Sequence, residues 1–233
     1  MLVLIRHAAT IPTAKKTYIG TTDLPLSPKG EAQARELGSV FAAGAVRAIY
    51  TSPLQRTLQT ASQLAQAQNR PVTILKDLRE IHLGQWENRP MAEIREQTPD
   101  QYAARGNNLA DFRPPEGESF SDLAQRAWPM LEQMAHGPLP CAVVTHAGII
   151  RVLLCRVLGL PLNDIFQFRP GHLCCWGLKP ISLEAHSPSN SPDEQGSGSS
   201  APIDFCGGPE LRFRVAFQNL PPAQTAAQLC TTA

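Results

Sequence analysis

The chain has no excess charge of either sign. Lys and Arg number 21 against 20 Asp and Glu, a net charge of +1, so no broad field exists to draw in nucleic acid or an anionic membrane surface. Attraction for an anionic ligand has to be local, made by a few arginines in one cleft. Paired CxxC spacing is absent among the six cysteines (Cys141, Cys155, Cys174, Cys175, Cys206, Cys230), which argues against a structural zinc site and for scattered reduced thiols in a cytoplasmic protein. The opening apolar run Leu2-Val3-Leu4-Ile5 is broken at once by Arg6-His7 and is too short for a signal peptide. No apolar run is long enough to span a membrane. There is no mid-chain linker and no internal repeat. These absences leave one domain over residues 1–233, with a hydrophobic content of 42% sufficient for a substantial core.

What is present alternates between two periods. Leu2-Val3-Leu4-Ile5 suits a strand buried on both faces. Ser27-Pro28 is helix-start chemistry, followed by Ala34, Leu37 and Phe41 at helical spacing and by Gly44 as a stop. Ala48-Ile49-Tyr50-Thr51 reads as a second strand. Ser52-Pro53 opens a helix with Leu54, Leu58, Ala61 and Ala65 on one face, and Val72-Thr73-Ile74-Leu75 is a third strand. Arg89-Pro90 and Thr98-Pro99 punctuate short helices covering one end of the sheet. Ser119 or Ser121 starts a clearer helix with Phe120, Leu123, Ala127, Leu131 and Met134 as its apolar stripe. Cys141-Ala142-Val143-Val144-Thr145 is a fourth strand, and 148–158 a helix with Val152, Leu153 and Val157 inward. Strands at 173–178 and 211–217 close the pattern. The expected fold is a three-layer α/β/α sandwich around a mostly parallel sheet. Residues 184–209, rich in Ser, Pro and Gly, read as a flexible, exposed insertion.

In an open parallel sheet, ligands bind beyond the carboxyl ends of the strands. Arg6 and His7 follow the first strand, Arg56 the second, Glu80 the third and His146 the fourth. Four successive strands thus release charged or nucleophilic groups at one edge. Two guanidiniums grip a dianion through fork-like hydrogen bonds, a neutral imidazole is a nucleophile, and a carboxylic acid protonates a leaving alkoxide. The helix opening near Gly148 aims its amides at the same anion. Phosphoryl transfer needs this combination of charge and in-line positioning, and no metal or cofactor. A zinc set from His7, His146, His82 and Glu80 is the competing arrangement, disfavoured by two arginines beside a cation. His136 and His186 follow no strand. His172 is a candidate for the cleft wall and not for catalysis.

At these residues the sequence resembles the histidine phosphatase superfamily, which includes cofactor-dependent phosphoglycerate mutases. Arg6-His7-Ala8-Ala9-Thr10 is similar to the R-H-G-x-S/T opening, Asp23-Leu24-Pro25-Leu26-Ser27 to D-x-P-L-[ST], and Ser52-Pro53-Leu54-Gln55-Arg56-Thr57 to S-x-x-x-R-[AT]. Leu78-Arg79-Glu80 through Gly84-Gln85-Trp86-Glu87 resembles L-x-E-x-x-x-G-x-W-E, and Thr145-His146-Ala147-Gly148 the [ST]-H-[GA]-G element. The resemblance implies a phosphoglycerate mutase-like fold, His7 as phosphohistidine nucleophile, and Glu80 as proton donor and acceptor. It further implies Arg6, Arg56 and His146 as phosphate ligands, with backbone amides at Gly20 or Thr21 and at Ala147 assisting. Two positions depart from the pattern. Ala8 replaces the usual glycine, placing a methyl where backbone would run close to phosphate, and Thr13 replaces an asparagine in the substrate-binding set.

Within the superfamily, Gly117-Glu118-Ser119-Phe120 and Trp86-Glu87 resemble the small phosphatase branch. The stretch from Leu158-Gly159-Leu160-Pro161 to Cys175-Trp176 resembles the α-ribazole-5′-phosphate phosphatases of cobalamin nucleotide-loop assembly. The expected partner is therefore a small phosphomonoester, foremost α-ribazole 5′-phosphate or its cobamide form, with a homodimer as the assembly left open. A broad small-molecule phosphatase, a mutase, and a non-catalytic phosphate- or protein-binding relative are the alternatives.

Overall fold

The computed structural model describes residues 1–41, 44–181 and 212–230. Six strands form one sheet: β1 (Leu2–Arg6), β2 (Ala48–Thr51), β3 (Val72–Ile74), β4 (Cys141–Thr145), β5 (Cys175–Ile181) and β6 (Arg212–Leu220), in the order β3-β2-β4-β1-β5-β6. The first four are mutually parallel, and β5 and β6 are antiparallel additions at the β1 side. The alternation of β1 is divided between two layers. Leu2 and Leu4 pack with one apolar cluster while Val3 and Ile5 pack with the other, as the two-period alternation of a strand requires.

Helices cover both faces. On one side lie α1 (Pro28–Val40), α2 (Gln55–Gln68) and α7 (Pro222–Cys230), burying Leu37, Leu64 and Leu229 against Ile5, Ile49 and Val144. On the other lie α5 (Phe120–Ala135) and α6 (Ala147–Leu158), whose Leu131 and Leu153 meet Leu4 and Val143. The excursion between β3 and α5 carries the short helices α3 (Met91–Gln97) and α4 (Pro99–Asn107). It is anchored to the second layer by Trp86 and Ile94, both essentially inaccessible to solvent.

Helix starts follow the expected chemistry. The Ser27 hydroxyl accepts from Gly30 N ahead of α1. Ser119, not Ser121, begins α5 with a reciprocal capping box to Asp122. The α2 stripe differs from expectation. Its buried residues are Arg56, Thr57, Thr60, Ala61, Leu64 and Gln68, while Leu58 and Ala65 are half-buried. The helix is rotated because its first turn delivers Arg56 and Thr57 into a polar interior. Helix α2 also starts at Gln55, three residues later than Ser52, since Ser52 is held by side chains beyond the strand. Strands β5 and β6 run further than expected, to Ile181 and Leu220, and the insertion at 184–209 lies outside the described residues. Among the described residues no helix is long and apolar enough to cross a membrane.

Ser119 is fully buried and satisfies the first turn of the longest helix in the second layer. Ser119→Ala should therefore lower unfolding free energy by about 1 kcal/mol, read as a lower Tm with unchanged far-ultraviolet circular dichroism. An unchanged Tm would show that water replaces the cap without cost.

Candidate active site

The parallel strands bring the expected residues to one edge. Arg6 pairs with Thr145 at the last register position of β1 and β4, and His7 N donates to Thr145 O at 2.9 Å. The side chains of His7 and His146 thus leave neighbouring strands at the same level, with ring centroids 5.3 Å apart. Strand β2 ends at Thr51, and one turn later Arg56 enters from the start of α2. Glu80 follows the short helical turn Lys76–Leu78 after β3. Arg6, His7, Arg56 and Glu80 line a cavity of about 390 Å³, whose outer wall includes Thr13, Ile19 and His172.

Hydrogen bonding fixes the tautomers of both histidines. His7 Nδ1 lies 2.8 Å from Ala8 O. A carbonyl only accepts, so Nδ1 carries the proton and Nε2 keeps its lone pair. Burial, followed by the Arg6 and Arg56 charges, drives the His7 pKa well below 6.5, so the ring is neutral at pH 7. His146 has the opposite tautomer. Its Nδ1 accepts from Arg56 Nε at 3.2 Å, leaving Nε2–H to donate to Ser52 Oγ at 2.7 Å. Complete burial and then Arg56 hold its pKa well below 6.5 too. His146 is therefore neutral as well. Both ring nitrogens have protein partners, and the ring acts on Arg56.

The charge comes from the arginines. Arg56 is 2% exposed, and its NH1 and NH2 donate to Thr22 O and Gly20 O, each at 2.7 Å. Burial lowers its pKa and the nearby Glu80, Asp23 and Glu87 charges oppose that shift. Arg6 NH1 donates to Pro170 O at 2.6 Å, while its Nε is buried without a partner among the described residues. An unsatisfied buried donor of a cation costs about 1–3 kcal/mol or more unless a ligand accepts from it. Glu80 closes the cavity with Oε1 accepting from Ile81 N and Oε2 from Gly148 N, both at 3.0 Å. A side chain at Gly148 would collide with that carboxylate, which explains a glycine in the first turn of α6.

The expected binding groups at Gly20, Thr21 and Thr13 already have protein partners. The amides of Gly20 and Thr21 do not face the cavity as donors, because both donate to the Glu87 carboxylate, at 3.1 and 2.7 Å. Thr13 lines the cavity mouth but its hydroxyl donates to Lys15 O at 2.7 Å. The Ala8 methyl raises no obstacle, since the residue is fully buried in the apolar layer with Leu26 and Ala34. Ala147 opens α6 directly after His146. The competing zinc set is not assembled: His82 is exposed, and its amide donates to Glu118. Among the described residues no group of three or more His, Cys, Asp or Glu is placed to hold a metal. His172 does reach the site, with its ring 5.6 Å from His7. Desolvation there, with Arg6 and Lys29 nearby, pushes its pKa down to about 4.

Ser52 and Glu87 carry roles that their place in motifs did not reveal. The Glu87 carboxylate accepts from the amides of Gly20, Thr21, Thr22 and Leu83 and from the hydroxyls of Thr21 and Thr22. Those bonds outweigh its burial and lower its pKa. The carbonyls of the same loop hold Arg56, so Glu87 positions a guanidinium it does not touch.

Residues 2–180 match the family described as the histidine phosphatase superfamily (branch 1). The chain belongs to that superfamily. It is 27% identical over 183 residues to the adenosylcobalamin/alpha-ribazole phosphatase of Escherichia coli (strain K12), covering 78% of this chain and 90% of that protein. It is 33% identical over 172 residues to a glucosyl-3-phosphoglycerate phosphatase of Mycolicibacterium vanbaalenii, covering 70% of this chain and 76% of that one. Among solved structures, an alpha-ribazole phosphatase from Shigella flexneri superposes with a TM-score of 0.70 at 26% identity, over 76% of this chain and 89% of that one. A mycobacterial glucosyl-3-phosphoglycerate phosphatase has the same fold, with a TM-score of 0.74 over 94% of this chain and 97% of that one, at 24% identity. This histidine phosphatase is an α/β protein, and the relatives it matches include proteins named as phosphatases and as probable phosphoglycerate mutases.

The neutral imidazoles set a pH dependence. The folded-state pKa values of His7, His146 and His172 lie below the ordinary 6.5, so on acidification the unfolded chain takes up protons that the folded chain refuses. Their stabilising effect is complete above the unfolded pKa and declines as pH falls below it. Tm should drop between about pH 7 and about pH 5, with a shallower slope in His146→Gln. Equal slopes would mean that His146 is charged in the folded state. Glu87→Ala should raise KM and the inhibition constant of inorganic phosphate by about tenfold or more, through a misplaced Arg56. Unchanged phosphate inhibition in a folded Glu87→Ala protein would remove Glu87 from the positioning role.

Proposed function

We propose that this histidine phosphatase hydrolyses a small phosphomonoester through a phosphohistidine at His7. The observation that carries the reading is the His7 Nδ1–Ala8 O hydrogen bond, which leaves Nε2 with a free lone pair inside a cavity bearing two guanidiniums. Arg6 and Arg56 hold the phosphoryl oxygens, and the unpartnered Arg6 Nε supplies one donor. His7 Nε2 attacks phosphorus in line while the ester P–O bond breaks, and Glu80 gives its proton to the leaving oxygen. In the second half Glu80 takes a proton from water. The resulting nucleophile attacks the phosphohistidine, releasing phosphate and restoring neutral His7. His146 positions Arg56 and adds no charge.

The finer reading of the substrate is α-ribazole 5′-phosphate or its cobamide form. Its support is the 27% identity to the Escherichia coli phosphatase of that name and the 0.70 TM-score of the Shigella flexneri structure. A second reading, a phosphoglycerate-type ester, is favoured by the 33% identity to a glucosyl-3-phosphoglycerate phosphatase. Parallel kcat/KM measurements on α-ribazole 5′-phosphate and glucosyl-3-phosphoglycerate decide between them. A rate lower on α-ribazole 5′-phosphate than on p-nitrophenyl phosphate would remove the first reading.

His7→Ala should abolish turnover of p-nitrophenyl phosphate and the acid-labile phosphoprotein trapped on rapid quenching. Retained turnover would overturn the mechanism, and no turnover by the wild-type protein would favour a non-catalytic binding relative. Glu80→Gln should slow hydrolysis of alkyl phosphates far more than that of p-nitrophenyl phosphate, whose phenolate leaves without protonation. Equal losses would reduce Glu80 to a structural acceptor. Because the arginines supply the positive charge, turnover should persist in excess EDTA and be inhibited by vanadate. Loss in EDTA with recovery on one divalent metal would require a different mechanism.

A further inference from the structure

The segment that carries Glu80 has no ladder to hold it. Residues 79–83 belong to no helix or strand, yet Glu80 is buried, and a buried carbonyl without a donor is costly. Two side chains from other elements supply the donors. Arg126 of α5 donates through NH1 to Asp77 O at 2.7 Å and Arg79 O at 2.9 Å, and through NH2 to Glu80 O at 3.0 Å. Thr145 Oγ1, at the end of β4, donates to Leu78 O at 3.1 Å. Four successive carbonyls, those of residues 77–80, are thus fixed from outside the loop.

Arg126 is itself held in place. Its Nε and NH2 donate to the two oxygens of Glu118 at 2.8 and 2.9 Å, so each of its five N–H groups has an acceptor. Glu118 Oε2 also accepts from His82 N at 2.8 Å, while Glu118 N donates to His82 O at 2.7 Å. The pair therefore grips the chain on both sides of Glu80. Burial opposes ionisation of Glu118, but the Arg126 hydrogen bonds, the His82 amide and the Arg126 charge outweigh it and lower its pKa. Neither residue lines the catalytic cavity. Packing of α5 rests on Leu123, Ala127 and Leu131 in the second layer, and no donor of Arg126 is spent on it.

Proton transfer to a leaving oxygen needs the acid within hydrogen-bond reach. The Glu80 carboxylate accepts from Ile81 N and Gly148 N, but the main chain sets where that side chain begins. A misplacement of roughly 1 Å at a reacting group can cost about a hundredfold in rate. We propose that Arg126, oriented by Glu118, is a positioning residue for the proton-transfer step, holding the main chain of Glu80 so that its carboxyl reaches the leaving oxygen. The proposal rests on the reading of Glu80 as proton donor. Arg6 and Arg56 are held by carbonyls of other segments, so the effect falls on protonation and not on phosphate binding.

Leaving-group selectivity tests it. Kinetics compare benzyl phosphate, whose alkoxide needs a proton to leave, with p-nitrophenyl phosphate, whose phenolate does not. Arg126→Gln should lower the benzyl-to-nitrophenyl ratio of kcat/KM by about tenfold or more. The inhibition constant of inorganic phosphate should change by less than about twofold. Glu118→Gln, which keeps an acceptor for His82 N but removes the ion pair, should lower the ratio by less. Arg126→Lys should recover part of the loss, since an ammonium reaches only some of the carbonyls. Added to Glu80→Gln, Arg126→Gln should leave the ratio where Glu80→Gln alone puts it. An unchanged ratio in a folded Arg126→Gln protein overturns the proposal. A further fall in the Glu80→Gln background also overturns it, as does a parallel weakening of phosphate inhibition, because Arg126 would then act through other groups. If Arg126→Gln does not fold, Arg126→Lys and Glu118→Gln read the same ratio. A wild-type ratio in Glu80→Gln would instead remove Glu80 as the acid, a failure distinct from a ratio lowered in Glu80→Gln but not in Arg126→Gln.

Discussion

Two guanidiniums buried beside two imidazoles form the constraint around which the site is built. Lost hydration, and then the nearby arginines, lower the pKa of both histidines. Each ring is therefore neutral, and its single proton goes where a fixed partner accepts it. For His7 that partner is Ala8 O, and for His146 it is Ser52 Oγ. Burial first, and then the arginine field that would bind a phosphoryl dianion, keeps a nucleophilic nitrogen unprotonated.

Holding that charge needs a polar frame, and the frame is mostly backbone carbonyl. Gly20 O and Thr22 O take two donors of Arg56, while Pro170 O takes one of Arg6. Carbonyls orient a guanidinium without neutralising it, whereas carboxylates at those places would compete with the anionic ligand. The acid that is present near the loop, Glu87, sits behind it and is saturated by amide and hydroxyl donors. Its charge is felt at Arg56 but is separated from the cavity. The arrangement keeps the positive face toward the space the ligand would fill.

Much of this was legible along the chain. Buried strands read as short apolar runs, and each of the first four releases a polar residue at its carboxyl end. Arg6, His7, Arg56, Glu80 and His146 could therefore be assigned to one edge from pattern alone. The Ser27 cap was legible for the same local reason. Less legible was the rotation of α2, because Thr57 and Thr60 count as polar in a periodicity argument yet are buried by bonds to Ser52, Leu54 O and Arg56 O. Glu87 stood in a visible motif without a visible role. A carboxylate beside Trp86 looks like any surface acid until the Gly20–Thr22 loop, more than sixty residues earlier, is folded onto it.

The sequence by itself determined which side chains reach the sheet edge, since strand alternation and the strand-to-helix turns are short-range properties of the chain. Tertiary structure alone decided what those side chains are when they arrive. The proton positions on His7 and His146 and the unpartnered Nε of Arg6 both depend on distance and burial. Desolvation and Coulomb interactions act through space between groups that the chain keeps far apart, so no local pattern of residues encodes them.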